Sequence, residues 1–526
     1  MPNGYLCLVL HAHLPFIRHP EFPEFIEERW LYEAVRECYL PLVRVLQARR
    51  AHPAASRLTV SLSPTLIAML DDPMLRSRVR RHLERVVRFA EREVKRTGAD
   101  PASAWHPLAR FYAVLAEQNL ATWDGLGEGG IVDALVELEQ RGHLELITTC
   151  ATHAFLPIWK RHPEITRRQI MLGARMFERR VGHPSAGFWL PECGYYPGLE
   201  KFLEEWGIRY FFLESHGVLH ARPKPPDGVF APVYCPNGVA AFARDPASSQ
   251  QVWSARTGYP GDPEYREYYR DVGTELPLEA LIDLFPDADL TPATGFKYHR
   301  ITGSGEQKAP YHPGRAAERA AEHARDFLAK KAAQVAPSLH AMDRPPVVVA
   351  PYDAELFGHW WFEGPLFIEA LLRQADVQRE VAMITPSDYL ALHPSGFEGV
   401  PSASSWGARG YHEVWLNDAT AWMYPHLLRA AERSARLEAS ASDKLPLVMK
   451  RRLLAQARRE LLLGQSSDWP FMMNANRHTE YAEKRVRDHL TRFYWLADAL
   501  EQGVVQEDKL RAIEAADNVF DAELLG

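Results

Sequence analysis

Five stretches of this chain share one form: YLCLVLHAHLP (residues 5–15), LTVSLSP (58–64), LELITTCATHAFLP (144–157), GFWLPECG (187–194) and VVVAPYDAELFG (347–358). Each is a short apolar run of strand length that ends in polar or titratable residues, with a proline close by. A run with no polar alternation leaves no face for water, so it suits a strand covered on both sides. IRYFFLESHG (208–217) has the same character. Between several of these lie amphipathic helical patterns, at 71–94 and 129–143. Buried strands alternating with helices predict a parallel sheet wrapped by helices. The polar strand ends predict a (β/α) barrel whose chemistry sits at the C-terminal face.

Two regions break the alternation. Residues 191–244 mix short strands with the Pro-rich RPKPPDGVFAPVYCPNG, which reads as a small inserted subdomain. After residue 401 the strand signals fade, and 424–463 and 481–500 read as long amphipathic helices. The expected organisation is therefore a catalytic barrel over 1–190 and 245–401, an insertion over 191–244, and a helical C-terminal domain over 402–526. GSGEQK (303–308) reads as a flexible loop before a charged, Ala-rich helix at 316–334.

Bulk properties narrow the class. A prior of roughly 150 residues per domain allows the 526 residues two to four domains, or one large barrel with additions. A net charge of −7 gives no basic footprint, so nucleic acid is not an expected partner. Five scattered cysteines, an odd number without metal-type spacing, fit a reducing compartment. The N-terminus lacks a basic leader, and no apolar run reaches the roughly eighteen residues a membrane span needs. The cytoplasm is the default expectation. Aromatic residues punctuate the polar segments 251–271 and 404–422, as a sugar-binding groove requires, although most aromatics of such a chain fill its core.

The titratable clusters come at strand ends. His11 and His13 alternate along one strand and share a face, with His153 a third candidate. Strand-end histidines serve core hydrogen bonding, a metal or a polar cleft, and the spacing leaves these open. Glu192 lies between Pro191 and Cys193 in an apolar, aromatic setting, and Asp353 and Glu355 follow the strand VVVAP. A single strand-end carboxylate is commonly a cap or an ion-pair member. Two, each with Trp nearby in sequence, are better explained as a pair facing one cleft, as glycoside cleavage needs: one attacks the anomeric carbon, the other protonates the leaving oxygen and later activates the incoming hydroxyl. An apolar setting would raise the acid's pKa toward neutrality. Spacing does not say which carboxylate plays which part.

HAHLP, GHLELITTCATHAFLP, GFWLPECGYYPG, APYDAELFGHWWFEGP and the segment beginning WGARGYHEVWLND resemble, in order, the five motifs of glycoside hydrolase family 57. Spacing and total length resemble its α-1,4-glucan branching enzymes, and the likeness runs over nearly the whole chain. It implies an incomplete (β/α)7 barrel with a small insertion and a helical C-terminal domain closing the groove. It places the nucleophile on Glu192 and the general acid/base on Asp353. His11, His13 and His153 would hold sugar hydroxyls, and Glu355 matches an acidic position of related glucanotransferases. Trp189, Trp360, Trp406 and Trp415 would form aromatic walls. Arg256, Gly273, Asp468 and Trp469 would be further glucan contacts. The first motif reads His-Leu-Pro where many members have His-Gln-Pro, a difference shared with the branching type.

The resemblance implies a retaining double displacement, with a covalent glycosyl-enzyme intercepted by a glucan 6-hydroxyl to give an α-1,6 branch in glycogen-type glucan. Water in that role makes an α-amylase, and a 4-hydroxyl a 4-α-glucanotransferase. Two rivals from other classes are a metal-dependent polysaccharide deacetylase using His11 and His13, and a non-catalytic glucan-binding protein. The expected chemistry needs no cofactor or metal. The expected partner is an α-1,4-glucan such as amylose or glycogen, with no nucleic acid or membrane, and a monomer is the default state.

Overall fold

The computed structural model describes residues 2–50, 55–254, 256–282, 284, 293–303, 305–378 and 380–525. Nine strands form one sheet: β1 (Gly4–Ala12), β2 (Leu58–Leu62), β3 (Leu144–Thr149), β4 (Gly187–Trp189), β5 (Tyr210–Leu213), β6 (Val233–Tyr234), β7 (Ala240–Ala243), β8 (Val347–Asp353) and β9 (Val381–Met383). Seven of them run parallel in the order β7-β5-β4-β3-β2-β1-β8. The ends of this series meet just past β7, where Arg244 bridges to Val349 of β8 and the Asp245 amide donates to the Val349 carbonyl at 2.8 Å. A single bridge joining the two ends of the series, just past β7 and in β8, is an incompletely closed (β/α)7 barrel. β6 is antiparallel to β7, and β9 pairs only with the first residues of β1.

Every residue of β1, β2 and β3 is buried, as their unbroken apolar character requires. At about 1.5–3 kcal/mol for each large apolar side chain buried, these strands anchor the core. Parallel pairing also fixes what meets at the strand ends. His11 is in register with Ser61 of β2 on one side and with Asp353 of β8 on the other. Helices Pro73–Gly98, His106–Gly125, Pro163–Val181, Pro313–Val335 and Gly364–Val377 connect the strands, and their apolar faces join the main core.

The segment 191–244 is not a separate insertion. It contains β5 and β7, two of the barrel strands. β5 lies in the strand-like run IRYFFLESHG, but both strands are only four residues long and a long Pro-rich stretch separates them, which hid their membership of the barrel. From residue 402 onward the described chain holds helices and loops without a strand. The helix expected over 424–463 is two, Met423–Ser434 and Leu447–Gly464, because ASASDKLP (439–446) between them carries Ser, Asp and Pro446, which favour turns. With Thr479–Gln502 and Glu507–Ala516 these helices enclose a second core around Leu427, Leu453, Leu461, Val486 and Phe493. Of the expected loop 303–308, Ser304 lies outside the described residues, and helix Pro313–Val335 follows it.

Candidate active site

β4 ends at Trp189, and the chain turns sharply through Pro191–Cys193. Glu192 sits there in the left-handed region, φ 61° and ψ 22°, and Cys193 follows at φ 50°. Non-glycine residues in this region cost about 1–3 kcal/mol each and persist where the surroundings hold them. The loop 404–406 does so. Tyr195 and Ser404 exchange backbone hydrogen bonds at 2.9 and 3.2 Å, and the Trp406 amide donates to the Glu192 carbonyl at 3.0 Å. The same loop brings the Trp406 indole N–H to Oε2 of Glu192 at 2.7 Å, and Ser467 Oγ donates to Oε1 at 2.9 Å. Burial pushes Glu192 up to about 7, although both donors favour its ionised form.

The histidines form a stack over Trp189, with His11 lying on the indole at 4.5 Å and an interplanar angle of 4°. His11 Nδ1 is 3.0 Å from Ser61 Oγ, His11 Nε2 is 3.0 Å from His153 Nε2, and His153 Nδ1 is 2.8 Å from Ser467 Oγ. Burial holds both imidazoles neutral by pulling their pKa well below the usual value. The bonds then fix the tautomers. Because Ser467 gives its proton to Glu192, His153 Nδ1 must donate to Ser467, His11 Nε2 to His153, and Ser61 to His11 Nδ1. One directed chain of four hydrogen bonds thus runs from the barrel interior to the Glu192 carboxylate.

His13 is different. Burial opposes its charge, but Asp468, with oxygens 3.1 and 3.2 Å from Nε2, overrides this and raises its pKa. Burial likewise opposes the charge on Asp468, and His13 holds its pKa down. The His13 amide donates to Glu355 Oε1 at 3.2 Å, and Tyr39 OH also donates to that oxygen. The rings of His11, His13 and His153 lie nearly parallel, with interplanar angles of 17–21°, and one nitrogen of each lies within 4.8 Å of the others, close enough for the three to share a metal ion.

Asp353 ends β8 and accepts no hydrogen bond from a described side chain. Burial, then the charges of Glu355 and Glu192, push it up to about 8. One cavity of about 490 Å³ is lined by His11, His13, His153, Glu192, Asp353, Glu355, Trp406, Trp415 and Asp468. Nine of the residues singled out in the sequence meet there, from positions 11 to 468.

Five others do not line it. Trp189 is fully buried beneath His11, a support and not a wall. Trp469 is buried in the helical core, where its indole N–H donates to the Leu463 carbonyl at 2.8 Å. Gly273 is buried in the short helix Val272–Glu275, its amide bonded to Asp271 at 2.7 Å. Arg256 is exposed beside Tyr259 and Asp262 in a separate surface depression. Trp360 is half-exposed outside the cavity, stacked on Tyr268. A Trp, Gly or Arg in a motif says nothing of which way its side chain points. Conversely, Arg244, Trp253 and Phe471 line the cavity, and Ser61 and Ser467 position its groups, without having been singled out. Arg244 follows a strand and so had a readable signal, masked by treating its segment as an insertion. A serine among serines carries none.

A family profile described as "Glycosyl hydrolase family 57" matches residues 7–397, and one described as "1,4-alpha-glucan branching enzyme, C-terminal" matches 426–523. The chain belongs to glycosyl hydrolase family 57. The family 57 chain is 32% identical, over its full length and 78% of the relative's, to "1,4-alpha-glucan branching enzyme TK1436" of Thermococcus kodakarensis. It is 30% identical to "Probable 1,4-alpha-glucan branching enzyme Rv3031" of Mycobacterium tuberculosis, covering 99% of this chain and 97% of that one. Among solved structures, "the novel alpha-amylase AmyC from Thermotoga maritima" superposes with a TM-score of 0.90 at 39% identity, covering 99% of both chains. The "GH57-type branching enzyme" of Pyrococcus horikoshii gives 0.87 at 31%, covering 99% and 97%. These full-length matches agree with a family 57 barrel followed by a helical region.

Proposed function

We propose that this family 57 protein is a retaining 1,4-α-glucan branching enzyme. Glu192 attacks the anomeric carbon of an α-1,4-linked glucose, and the C1–O4 bond breaks as the Asp353 carboxyl passes its proton to the leaving oxygen. Asp353, now ionised, takes the proton of an incoming 6-hydroxyl, whose oxygen displaces Glu192 from C1 and closes an α-1,6 branch. The observation that carries this reading is the pair itself: two carboxylates on one cavity, one near pKa 7 and held by two donors, the other near 8. Between those values Glu192 is ionised for attack while Asp353 keeps its proton. The relatives named as branching enzymes over nearly the whole chain support the choice of acceptor. Glycogen-type glucan is the substrate, in the cytoplasm, with the protein acting as a monomer.

A second reading, hydrolysis, has its own support in the 39% identity to a structure titled an α-amylase. The two differ only in what reaches the glycosyl-enzyme. Amylose incubated with the enzyme, then debranched for chain-length analysis and assayed in parallel for reducing ends, separates them. New α-1,6 links without matching reducing ends support branching; reducing ends alone make the protein an amylase. Trapping the intermediate with a fluorinated glucosyl donor and locating the mass increase on the Glu192 peptide tests retention.

A further inference from the structure

Beside the cavity lies an aromatic surface that the proposed chemistry does not use. Trp360 is 48% exposed and stacks on Tyr268 with centroids 4.9 Å apart and an interplanar angle of 19°. Tyr269, next along the chain, is 82% exposed and meets Tyr268 edge-on at 5.1 Å. Exposed aromatics grouped in this way leave apolar area in water that a folded chain ordinarily covers, which marks a contact surface.

The surface is held rigid. Lys297 Nζ sits over the Tyr268 ring at 4.1 Å and donates to the Tyr268 carbonyl at 2.5 Å. Gly358 has φ +125°, and a Cβ there would lie 1.9 Å from the Glu37 carbonyl oxygen, so only glycine lets the turn pack this closely. His359, the next residue, is pinned to Glu37 Oε2 at 2.8 Å. The turn carrying Trp360 also begins at the cavity: the Trp360 amide donates to the carbonyl of Glu355, a lining residue, at 3.4 Å.

We infer that Trp360 and Tyr269 form a second α-1,4-glucan-binding site outside the catalytic cavity, which holds a distant part of the chain whose reacting segment occupies the cavity. The inference rests on the glucan reading above. A pyranose presents a C–H face that stacks on an immobilised indole, and Tyr269, its ring at 87° to that of Tyr268, offers a second exposed aromatic face to another unit of the same polymer. Two sites joined by one polymer act through effective concentration, so the second adds affinity only for glucans long enough to reach both.

The test uses the full chain carrying Glu192→Gln, which blocks turnover, and compares amylose in affinity gels with maltotetraose by calorimetry. Trp360→Ala and Tyr269→Ala should each weaken amylose binding about fivefold and change maltotetraose binding less than about twofold. Tyr269 is so exposed that its replacement does not endanger folding. Equal weakening for both glucans, or none for amylose, overturns the second site while leaving the glucan reading intact. A Glu192→Gln protein that binds neither glucan overturns the glucan reading and the second site with it.

Discussion

The indole N–H of Trp406 donates to Oε2 of Glu192 at 2.7 Å, although 214 positions separate the two residues. The bond favours the ionised carboxylate in a place where burial favours the neutral acid. Trp406→Phe removes the donor and keeps an aromatic ring. The acidic limb of kcat/KM against pH should move up by about half to one unit, and kcat should fall about tenfold. A limb that stays put would mean that the bond does not hold the nucleophile.

The unmodified enzyme should show a bell-shaped profile with activity greatest between about pH 7 and 8. Below about 7 Glu192 gains a proton, and above about 8 Asp353 loses its own. The charge of Glu192 contributes to the elevation of Asp353, so the limbs belong to the pair. Initial-rate measurement from pH 5 to 10 checks this; two limbs both below pH 6 would overturn the assignment.

Asp353 also predicts a stability trend. Its folded pKa of about 8 lies above the ordinary aspartate value of 3.8, so the folded state binds the extra proton between these values. The stabilisation is complete below about pH 4 and is lost as pH rises through 8. Asp353→Asn carries no such loss. Its unfolding free energy relative to the parent should therefore rise by about 2 kcal/mol between pH 5 and pH 9, after allowance for the partial exposure of the side chain. Denaturant titration at the two pH values measures the difference.

Ser467 is the last link of the chain Ser61–His11–His153–Ser467–Glu192. Ser467→Ala strands the His153 Nδ1–H and removes one of the two donors to Glu192. A kcat loss of about tenfold is expected, with the acidic limb shifted upward and both effects restored by Ser467→Thr. Loss of activity with an unmoved limb would assign Ser467 a packing role only.

The barrel was legible because its strands are apolar on consecutive residues, a pattern that water forbids on any exposed face. The strand-end carboxylates and histidines were legible for the complementary reason, since a titratable group beside an apolar run needs a task or a partner. β5 falls within IRYFFLESHG, already strand-like in the sequence, but its place in the barrel and the four-residue β7 were not legible, because the Pro-rich stretch between them outweighs so little pattern. Aromatic residues divided in a way their motifs did not reveal. Trp406 donates to Glu192, Trp189 and Trp469 are buried supports, and Trp360 lies outside the cavity.

By itself the sequence determined the parallel barrel and the helical C-terminal region, and it marked Glu192 and Asp353 as carboxylates set at the ends of apolar runs. Local composition and periodicity encode those directly. Only the tertiary structure decided that Ser467 and Trp406 reach back to Glu192, that His11 and His153 carry one ordered pair of tautomers, and that Asp353 retains its proton near neutral pH. Those properties depend on hydrogen bonds and on the removal of water between segments hundreds of residues apart, and neither is written in the neighbourhood of any one residue.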